Sequence, residues 1–459
     1  MTMTDDWRPD ISDPHRPAYL ALAEAIARDL TTGRLKPGDR LPSQRTLAAA
    51  LGLNFTTVSR GYREAHRRGL IEARVGSGSH VARQPDSTSV SLRRRDLSDR
   101  TMNQAPELDD PTLLRRMRAI WEETSEDLGA LLRYQSPGGS AEDKAAALRW
   151  LSRRGIEATS EKIIISPGTH AVMLAILRSI ARPGDTICSE DITYPGIIAI
   201  CDHLGLKLVG LPSDALGLDP QALADRALAG PVRALYLNPT IRNPTTHTIV
   251  AKRRAELVEV ARRFGIEILE DDAYGLFPTD APPPLVMLAP ELTYHIVGLS
   301  KCLAAGLRVA YAVMPSGKSA ETIGAQLKTE IVMASPLTTT LATRWIETGV
   351  ADEILQQLRL ESRLRQKIAA EMLPMHTMTA DPEGFHIWIT PPKPWTRQRI
   401  VDWMRGHALG AVASDAFVVG RTPPEALRLC LGGAATRADM QRALAFMIDA
   451  FNNPPSFPH

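Results

Sequence analysis

Apolar residues recur at helical spacing from Pro17 to Arg34, at Leu20, Leu22, Ala23, Ile26, Ala27 and Leu30, and Gly33 follows as a stop. In KPGDRLPSQR, Pro37-Gly38 reads as a turn and Ser43 as the N-cap of a second helix, Gln44 to Leu51, which Gly52 ends. Asn54 is placed to cap a third helix. Its Val58, Tyr62 and Ala65 fall on one face for the core, leaving Thr56, Thr57 and Arg60 facing outward. Two short helices joined by a glycine-containing turn predict a helix-turn-helix. After Gly69, LIEARVGSGSHV reads as two short strands around a Gly-rich turn, a wing.

The pattern then changes twice. Residues 83–108 are rich in Arg, Ser and Asp with little apolar periodicity, which predicts a connector. Arg93-Arg94-Arg95 within it reads first as a solvated charge run, with a DNA contact as the alternative. From about 109 to 453, short apolar runs (EKIIIS, DTICSE, LKLVGL, ALYLNP, EILEDD, HIVGLS) alternate with helical stretches such as THAVMLAILRSIA. Such alternation predicts an α/β layered domain with a largely parallel sheet. The expected organisation is 12–82, winged helix-turn-helix; 83–108, connector; 109–453, α/β domain.

Composition sharpens this picture. A chain of 459 residues, 44% hydrophobic and 23% charged, can bury a large core and is long enough for more than one domain. No apolar run approaches the ~18 residues a membrane span needs, and the opening MTMTDDWRPD is too polar for a signal peptide, so a cytoplasmic protein without a membrane partner is expected. Cys188, Cys201, Cys302 and Cys430 are scattered, with no metal-ligand spacing; reduced thiols and no metal are expected. The net charge of +2 is unevenly placed: residues 1–95 hold 16 Lys and Arg against 10 Asp and Glu, the remainder 38 against 42. A basic front on a slightly acidic body points to nucleic acid at the front.

LPSQRTLAAALGLNFTTVSRGYREAHRRGLIEARVGSGSHV resembles the winged helix-turn-helix of GntR-type bacterial regulators over most of residues 17–82, through LPSxRxLA, the Gly turn, TV before an aromatic, RxGL and GSGxxV. The resemblance implies that Arg45, Thr56, Thr57 and Arg60 approach double-stranded operator DNA, with Gly76 and Gly78 letting the wing pass close to the backbone. Phe55 stands where that family commonly has Arg, which leaves the base preference open, and it can pack inward instead.

In the large domain a set of residues meets the demands of pyridoxal phosphate, whose aldehyde needs a lysine, its ring nitrogen a carboxylate, its phenolate hydrogen-bond donors, and its phosphate a helix start and a cation. Lys301, at the end of the run HIVGLSK, suits the aldehyde. Asp271 at a strand end, three residues before Tyr274, suits the ring nitrogen with Tyr274 at the phenolate; Asp272 is an adjacent, lower-ranked alternative. Asn243 in RNPT is a second phenolate donor, or a turn former. Gly168-Thr169-His170 joins a strand to a helix and suits phosphate, as does the planar fork of Arg308. Tyr194 in DITYPG can stack on the ring or anchor a loop.

Together these residues resemble the class I/II aminotransferases of fold type I across roughly 130–430. The fold implied is a mostly parallel sheet between helices plus a smaller C-terminal α+β subdomain. The resemblance adds three residues: Tyr134, lent to a neighbouring subunit's phosphate; Ser300 beside the phosphate; and Arg428, for a substrate's α-carboxylate. Gly298, Thr246 and His170 depart from the family pattern, where Ser or Thr, Gly and Gln are usual, and each lost phosphate contact costs ~1 kcal/mol.

A GntR-type reader joined to an aminotransferase-like domain resembles the MocR subfamily of bacterial transcription regulators over nearly the whole chain. That resemblance implies a homodimer in which pyridoxal phosphate sits on Lys301 and an amino acid or amine effector exchanging there changes the grip on DNA. A working aminotransferase with an accessory DNA-binding domain is the rival reading, and a relic cofactor site in a constitutive DNA-binding protein a third.

Overall fold

The amino-terminal helices begin where the caps fall. Helix α1 spans Ala18–Thr31, α2 Gln44–Leu51 and α3 Phe55–Arg67. The Ser43 side chain accepts the Thr46 N–H at 3.1 Å, and Asn54 accepts that of Thr56 at 3.0 Å. Gly52 ends α2 in the left-handed conformation, φ 64°. Gly61 is required by packing rather than by turning, since a Cβ there would meet Leu22 Cδ2 of α1 at 2.7 Å. Strands β1 (Ile71–Arg74) and β2 (Gly78–Val81) pair antiparallel as the wing, Ile71 opposite Val81. Leu22, Ile26, Leu47, Val58, Tyr62 and Val81 form this unit's core. Trp7 joins it, donating its indole N–H to Asp29 at 2.8 Å.

The structure is a computed structural model that describes residues 7–11, 17–36, 38–67, 70–74, 78–81, 101–374 and 377–454. The chain divides into two units, Met1–Ser98 and Asp99–His459. Gly76 and the run Arg93–Arg95 lie outside the described residues.

The larger unit is built on a seven-stranded sheet. Its strands are β3 (Ile163–Ser166), β4 (Thr186–Glu190), β5 (Lys207–Leu211), β8 (Ala234–Leu237), β9 (Glu267–Asp271), β10 (Thr293–Gly298) and β11 (Ala310–Val313); β6 (Ser213–Asp214) and β7 (Gly217–Leu218) form a separate short hairpin. The order is β3-β11-β10-β9-β8-β4-β5, and β11 alone runs against the rest. Both faces are covered, so the strands read as continuous apolar runs. On β3, Ile164 packs with Met173 and Ile176 of helix α4 (Thr169–Ile180), whereas Ile163 and Ile165 pack on the other face with Trp150. The runs expected from sequence become strands, but the last ends at Gly298. Leu299–Cys302 then turn into a short helix, α5, so Lys301 lies on this helix and not on the strand.

A second sheet, ordered β12-β13-β15-β14 and antiparallel throughout, comprises Met378–Ala380, His386–Ile389, Leu427–Cys430 and Gly410–Ala413 in that order. It packs with helices α6 (Val350–Met372) and α7 (Arg437–Asn452) around Ile387, Leu429, Leu444 and Met447. This is the smaller α+β subdomain. Residues 101–108, expected in the connector, are packed within the larger unit, where Pro106 bridges Gly433 and Gly433 N–H reaches the Ala105 carbonyl at 3.0 Å.

Candidate functional site

The carboxyl ends of the parallel strands gather the polar residues, as layered α/β sheets do. Strand β9 ends at Asp271, β10 leads into Lys301, β3 into Gly168, β4 into Tyr194, and β8 into Asn238 and Asn243. Asp271 is 4% exposed; its Oδ2 accepts the Tyr236 hydroxyl at 3.0 Å and its carbonyl accepts Asn238 Nδ2 at 2.7 Å. Its Oδ1 is buried with no hydrogen-bond partner among the described residues. Burial pushes the Asp271 carboxyl up to about 6, against the opposing Tyr236 hydrogen bond.

The neighbouring carboxylate is used differently. Asp272 accepts from Arg154 Nε at 3.2 Å and Thr240 Oγ1 at 2.9 Å. Burial would push it up, but Arg154, His295 and Arg254 hold it below the usual carboxylate range. It therefore anchors a buried cation, and Asp271 is left facing the cleft chemistry.

Burial is the main reason the Lys301 ammonium is pushed down to about 8; the charges of Arg428 and Arg308 push the same way and that of Asp271 opposes them. The Arg308 guanidinium reaches Ser300 Oγ at 3.3 Å. Gly168, φ +97°, lets it come close, because a Cβ there would lie 2.7 Å from Arg308 Nη2. Helix α4 starts at Thr169 with no side-chain cap, leaving its first N–H groups for an anion. His170 Nε2 and the Tyr194 hydroxyl are 2.7 Å apart, and Gly196 makes room for the pair, since a Cβ would sit 2.4 Å from His170 Nε2. Gly168, Thr169, His170, Tyr194, Ser300 and Arg308 are thus neighbours, and Tyr194 feels the charges of both Asp271 and Arg308.

Two of the departures from the family pattern show local consequences. Beside Gly298 the space a Cβ would need is taken by the Thr169 methyl, 2.6 Å away. Thr246 adopts φ 67°, the left-handed conformation that glycine takes without strain. Ile241, Arg308 and Val332 are the other non-glycine residues with positive φ among the described residues.

Tyr274 is 3% exposed and Arg428 4%. Arg428 Nη1 donates to Asn243 Oδ1 at 3.0 Å, and Nη2 to the Thr101 carbonyl. Residues without a motif also enter. Asn103 Nδ2 lies 2.8 Å from the Tyr274 hydroxyl and 3.1 Å from Nδ1 of the buried His386, while the Asn103 carbonyl accepts from Lys301 Nζ. Glu190 and Arg242 form a buried ion pair beside Asn243. The alternating run HIWI was the available signal for His386; nothing in the Ser- and Arg-rich stretch marks Asn103. Tyr134 stands apart from the cluster, 86% exposed.

In the amino-terminal unit, Arg45, Thr56 and Arg60 are exposed and Thr57 half-buried, on the face opposite the core. Arg60 rests over the Tyr19 ring, 4.3 Å from its centroid. Phe55 does not pack inward: it is 47% exposed and lines a cavity of about 280 Å³ with Arg40, Arg45 and Gly78. The core of this unit is filled without it, Leu47 and Val58 among its members. Among the described residues no helix is long and apolar enough to cross a membrane.

The family model described as aminotransferase class I and II matches residues 104–447, and that described as bacterial regulatory proteins, gntR family, matches 18–81. The chain is 28% identical over 446 residues to the uncharacterized HTH-type transcriptional regulator YdeF of Bacillus subtilis, covering 96% of each. It is 28% identical over 326 residues to the HTH-type pyridoxine biosynthesis transcriptional regulator PdxR of Corynebacterium glutamicum, covering 66% of this chain and 68% of PdxR. Among solved structures, the kynurenine aminotransferase of Pyrococcus horikoshii shares the fold at a TM-score of 0.69 and 20% identity, covering 81% of this chain and 95% of that one.

Proposed function

Because the chain belongs to the class I and II aminotransferase family and opens with a GntR-type domain, we propose that it is a pyridoxal phosphate-dependent transcription regulator that senses an amino acid or amine. The observation that carries the cofactor half is the buried, unpartnered Oδ1 of Asp271 in the same cleft as Lys301. An orphaned carboxylate oxygen is costly unless a donor comes to it, and the protonated ring nitrogen is such a donor. Pyridoxal phosphate supplies an aldehyde that passes between Lys301 and an incoming amine.

The chain's own residues divide the remaining work. Tyr274 and Asn243 donate to the phenolate, and Tyr194 covers the ring. Gly168, Thr169, His170, Ser300 and Arg308 hold the phosphate, joined by Tyr134 of a second copy: its 86% exposure, beside Leu132 at 68%, suits a residue lent across a homodimer. Arg428 binds an effector's carboxylate. Arg45, Thr56, Thr57 and Arg60, with Gly76 and Gly78 in the wing, contact operator DNA, and the protein works in the cytoplasm. PdxR is named for pyridoxine biosynthesis, so pyridoxal phosphate itself belongs with amino acids and amines among the effectors to test.

Titrating the purified protein with pyridoxal phosphate, then with amino acids and amines, should build and then shift a visible band while affinity for its own promoter duplex changes, typically by ~1–3 kcal/mol of coupling. Constant affinity across all of them rejects the sensor. Many turnovers per site with a 2-oxo acid would instead favour the working aminotransferase.

A further inference from the structure

Hydrogen-bond directions around Tyr274 can be followed atom by atom. His386 is buried in the β13 strand; burial, followed by the charge of Arg428, pushes it down to about 3, so it is neutral. Its Nε2 faces the Arg242 carbonyl at 3.2 Å, which can only accept. The ring proton therefore sits on Nε2, and Nδ1 is an acceptor. Asn103 Nδ2, 3.1 Å from that Nδ1, supplies one hydrogen to it and the other to the Tyr274 oxygen at 2.8 Å. The flipped carboxamide would set oxygen against a nitrogen lone pair, so the tautomer of His386 fixes the orientation of Asn103. With a donor already on its oxygen, the Tyr274 hydroxyl keeps its single proton for another acceptor.

The same stretch of chain touches the other working groups. The Asn103 carbonyl accepts from Lys301, and the Thr101 carbonyl from Arg428. Gln104 N–H meets Cys430 Sγ at 3.4 Å, Glu107 N–H reaches the Gly433 carbonyl at 3.3 Å, and a Cβ on Gly432 would lie 1.8 Å from the Gln104 oxygen. Residues 101–107 are thus laid along the end of β15 with no space left for a side chain at Gly432.

We propose that Asn103 is a positioning residue of the cofactor site, turning the Tyr274 hydroxyl proton toward the phenolate oxygen of pyridoxal phosphate. It does so from the stretch through which the chain passes from the DNA-binding unit. The inference rests on the cofactor reading given above. A donor aimed at the phenolate favours its ionised form and so lowers the pH at which the bound cofactor's visible band changes.

The test is a pH titration of that band in the full-length protein loaded with pyridoxal phosphate. Asn103→Leu should raise the midpoint by roughly 0.5–1 unit, the loss expected for one hydrogen bond. Asn103→Ser, which packs with less risk to folding, should move it the same way. In a Tyr274→Phe background the Asn103 substitutions should add less than about 0.2 unit, because the group they act through is gone. An unchanged midpoint in both Asn103 variants, or an equal shift with and without the Tyr274 hydroxyl, overturns the proposal while leaving the cofactor reading intact. Absence of any visible band in the unsubstituted protein overturns the cofactor reading, and this inference falls with it.

Discussion

The two units display their chemistry in opposite ways. In the amino-terminal unit Arg45, Phe55, Thr56 and Arg60 stand on an exposed surface above a small core. In the larger unit Asp271, Tyr274, Asn103 and Arg428 are at most 4% exposed, and each is hydrogen-bonded to a buried neighbour whose orientation it shares. A surface reader should lose function piecemeal, whereas a buried cluster should lose it collectively or lose folding stability with it. Substitutions can separate the two behaviours.

The largest effect is expected at Lys301. Lys301→Ala removes the only covalent tether proposed for the cofactor, so the visible band and the borohydride-reducible adduct, read by mass spectrometry, should vanish. Salt-dependent binding of the amino-terminal unit to non-specific DNA should persist. Loss of that binding as well would break the contrast between the units.

Next comes the pair of adjacent carboxylates. Asp272→Asn strips Arg154 and Arg254 of their buried counter-charge and should cost about 3 kcal/mol, measured by denaturant unfolding. Asp271→Asn should cost far less stability, since burial already disfavours that charge, but should weaken retention of pyridoxal phosphate by ten-fold or more. Equal destabilisation by both would show that Asp271 is also structural. The pH dependence follows with signs worked out. The folded pKa of Asp271, about 6, lies above its unfolded value, so the folded state binds more protons between them and this group's contribution to stability falls as pH rises through that window. Cofactor retention runs the other way, rising through about 6 as the carboxylate forms. Lys301, pushed down to about 8, should capture the cofactor about ten-fold faster per pH unit below that value and level off above it. A rate that keeps climbing ten-fold per unit well past pH 8 would place the amine in an ordinary solvated setting.

How much of this was legible depended on whether a residue's signal lay in its own neighbourhood. The helix caps Ser43 and Asn54, and the stop at Gly52, are local, and the amino-terminal unit follows them closely. Asp271, Tyr274 and Lys301 sit in short runs at strand ends and could be picked out together. Asn103 could not: it meets Tyr274 across 171 residues and His386 across 283, and it acts on Lys301 through a main-chain carbonyl that every residue type carries. Low apolar periodicity made its stretch read as connector, although backbone pairing to Gly433 needs no apolar side chains. The antiparallel strand β11 escaped for a related reason, since its small residues Ala310 and Ala312 carry little strand propensity of their own.

On the surface reader the expected changes are smaller. Arg45→Ala should weaken binding to the promoter duplex by about 1–3 kcal/mol if the guanidinium contacts a base edge, and lower the salt slope by about 1 if it contacts a phosphate, as read by fluorescence anisotropy across salt concentrations. Neither the unfolding midpoint nor the cofactor band should move, because Arg45 lies on the exposed face. A shifted cofactor band would show that the two units are not chemically separate.

The smallest effect tests the cluster's collective character at one methyl group. Restoring the usual family residue with Gly298→Ser would, on motif grounds alone, add a phosphate donor and tighten cofactor binding. The structure gives the opposite sign: the new Cβ would meet Thr169 Cγ2 at 2.6 Å, so the helix start that faces the phosphate has to shift. The expected cost is about 1 kcal/mol in unfolding, with no gain in cofactor retention. Thr169→Ser deletes the obstructing methyl but keeps a hydroxyl at the helix start. The double substitution should therefore recover stability and hold the cofactor more tightly than either single one. If Gly298→Ser alone tightens binding, the phosphate end of the cleft is loose enough to accept residues one at a time, and it behaves like the exposed reader rather than like the buried cluster around Asp271.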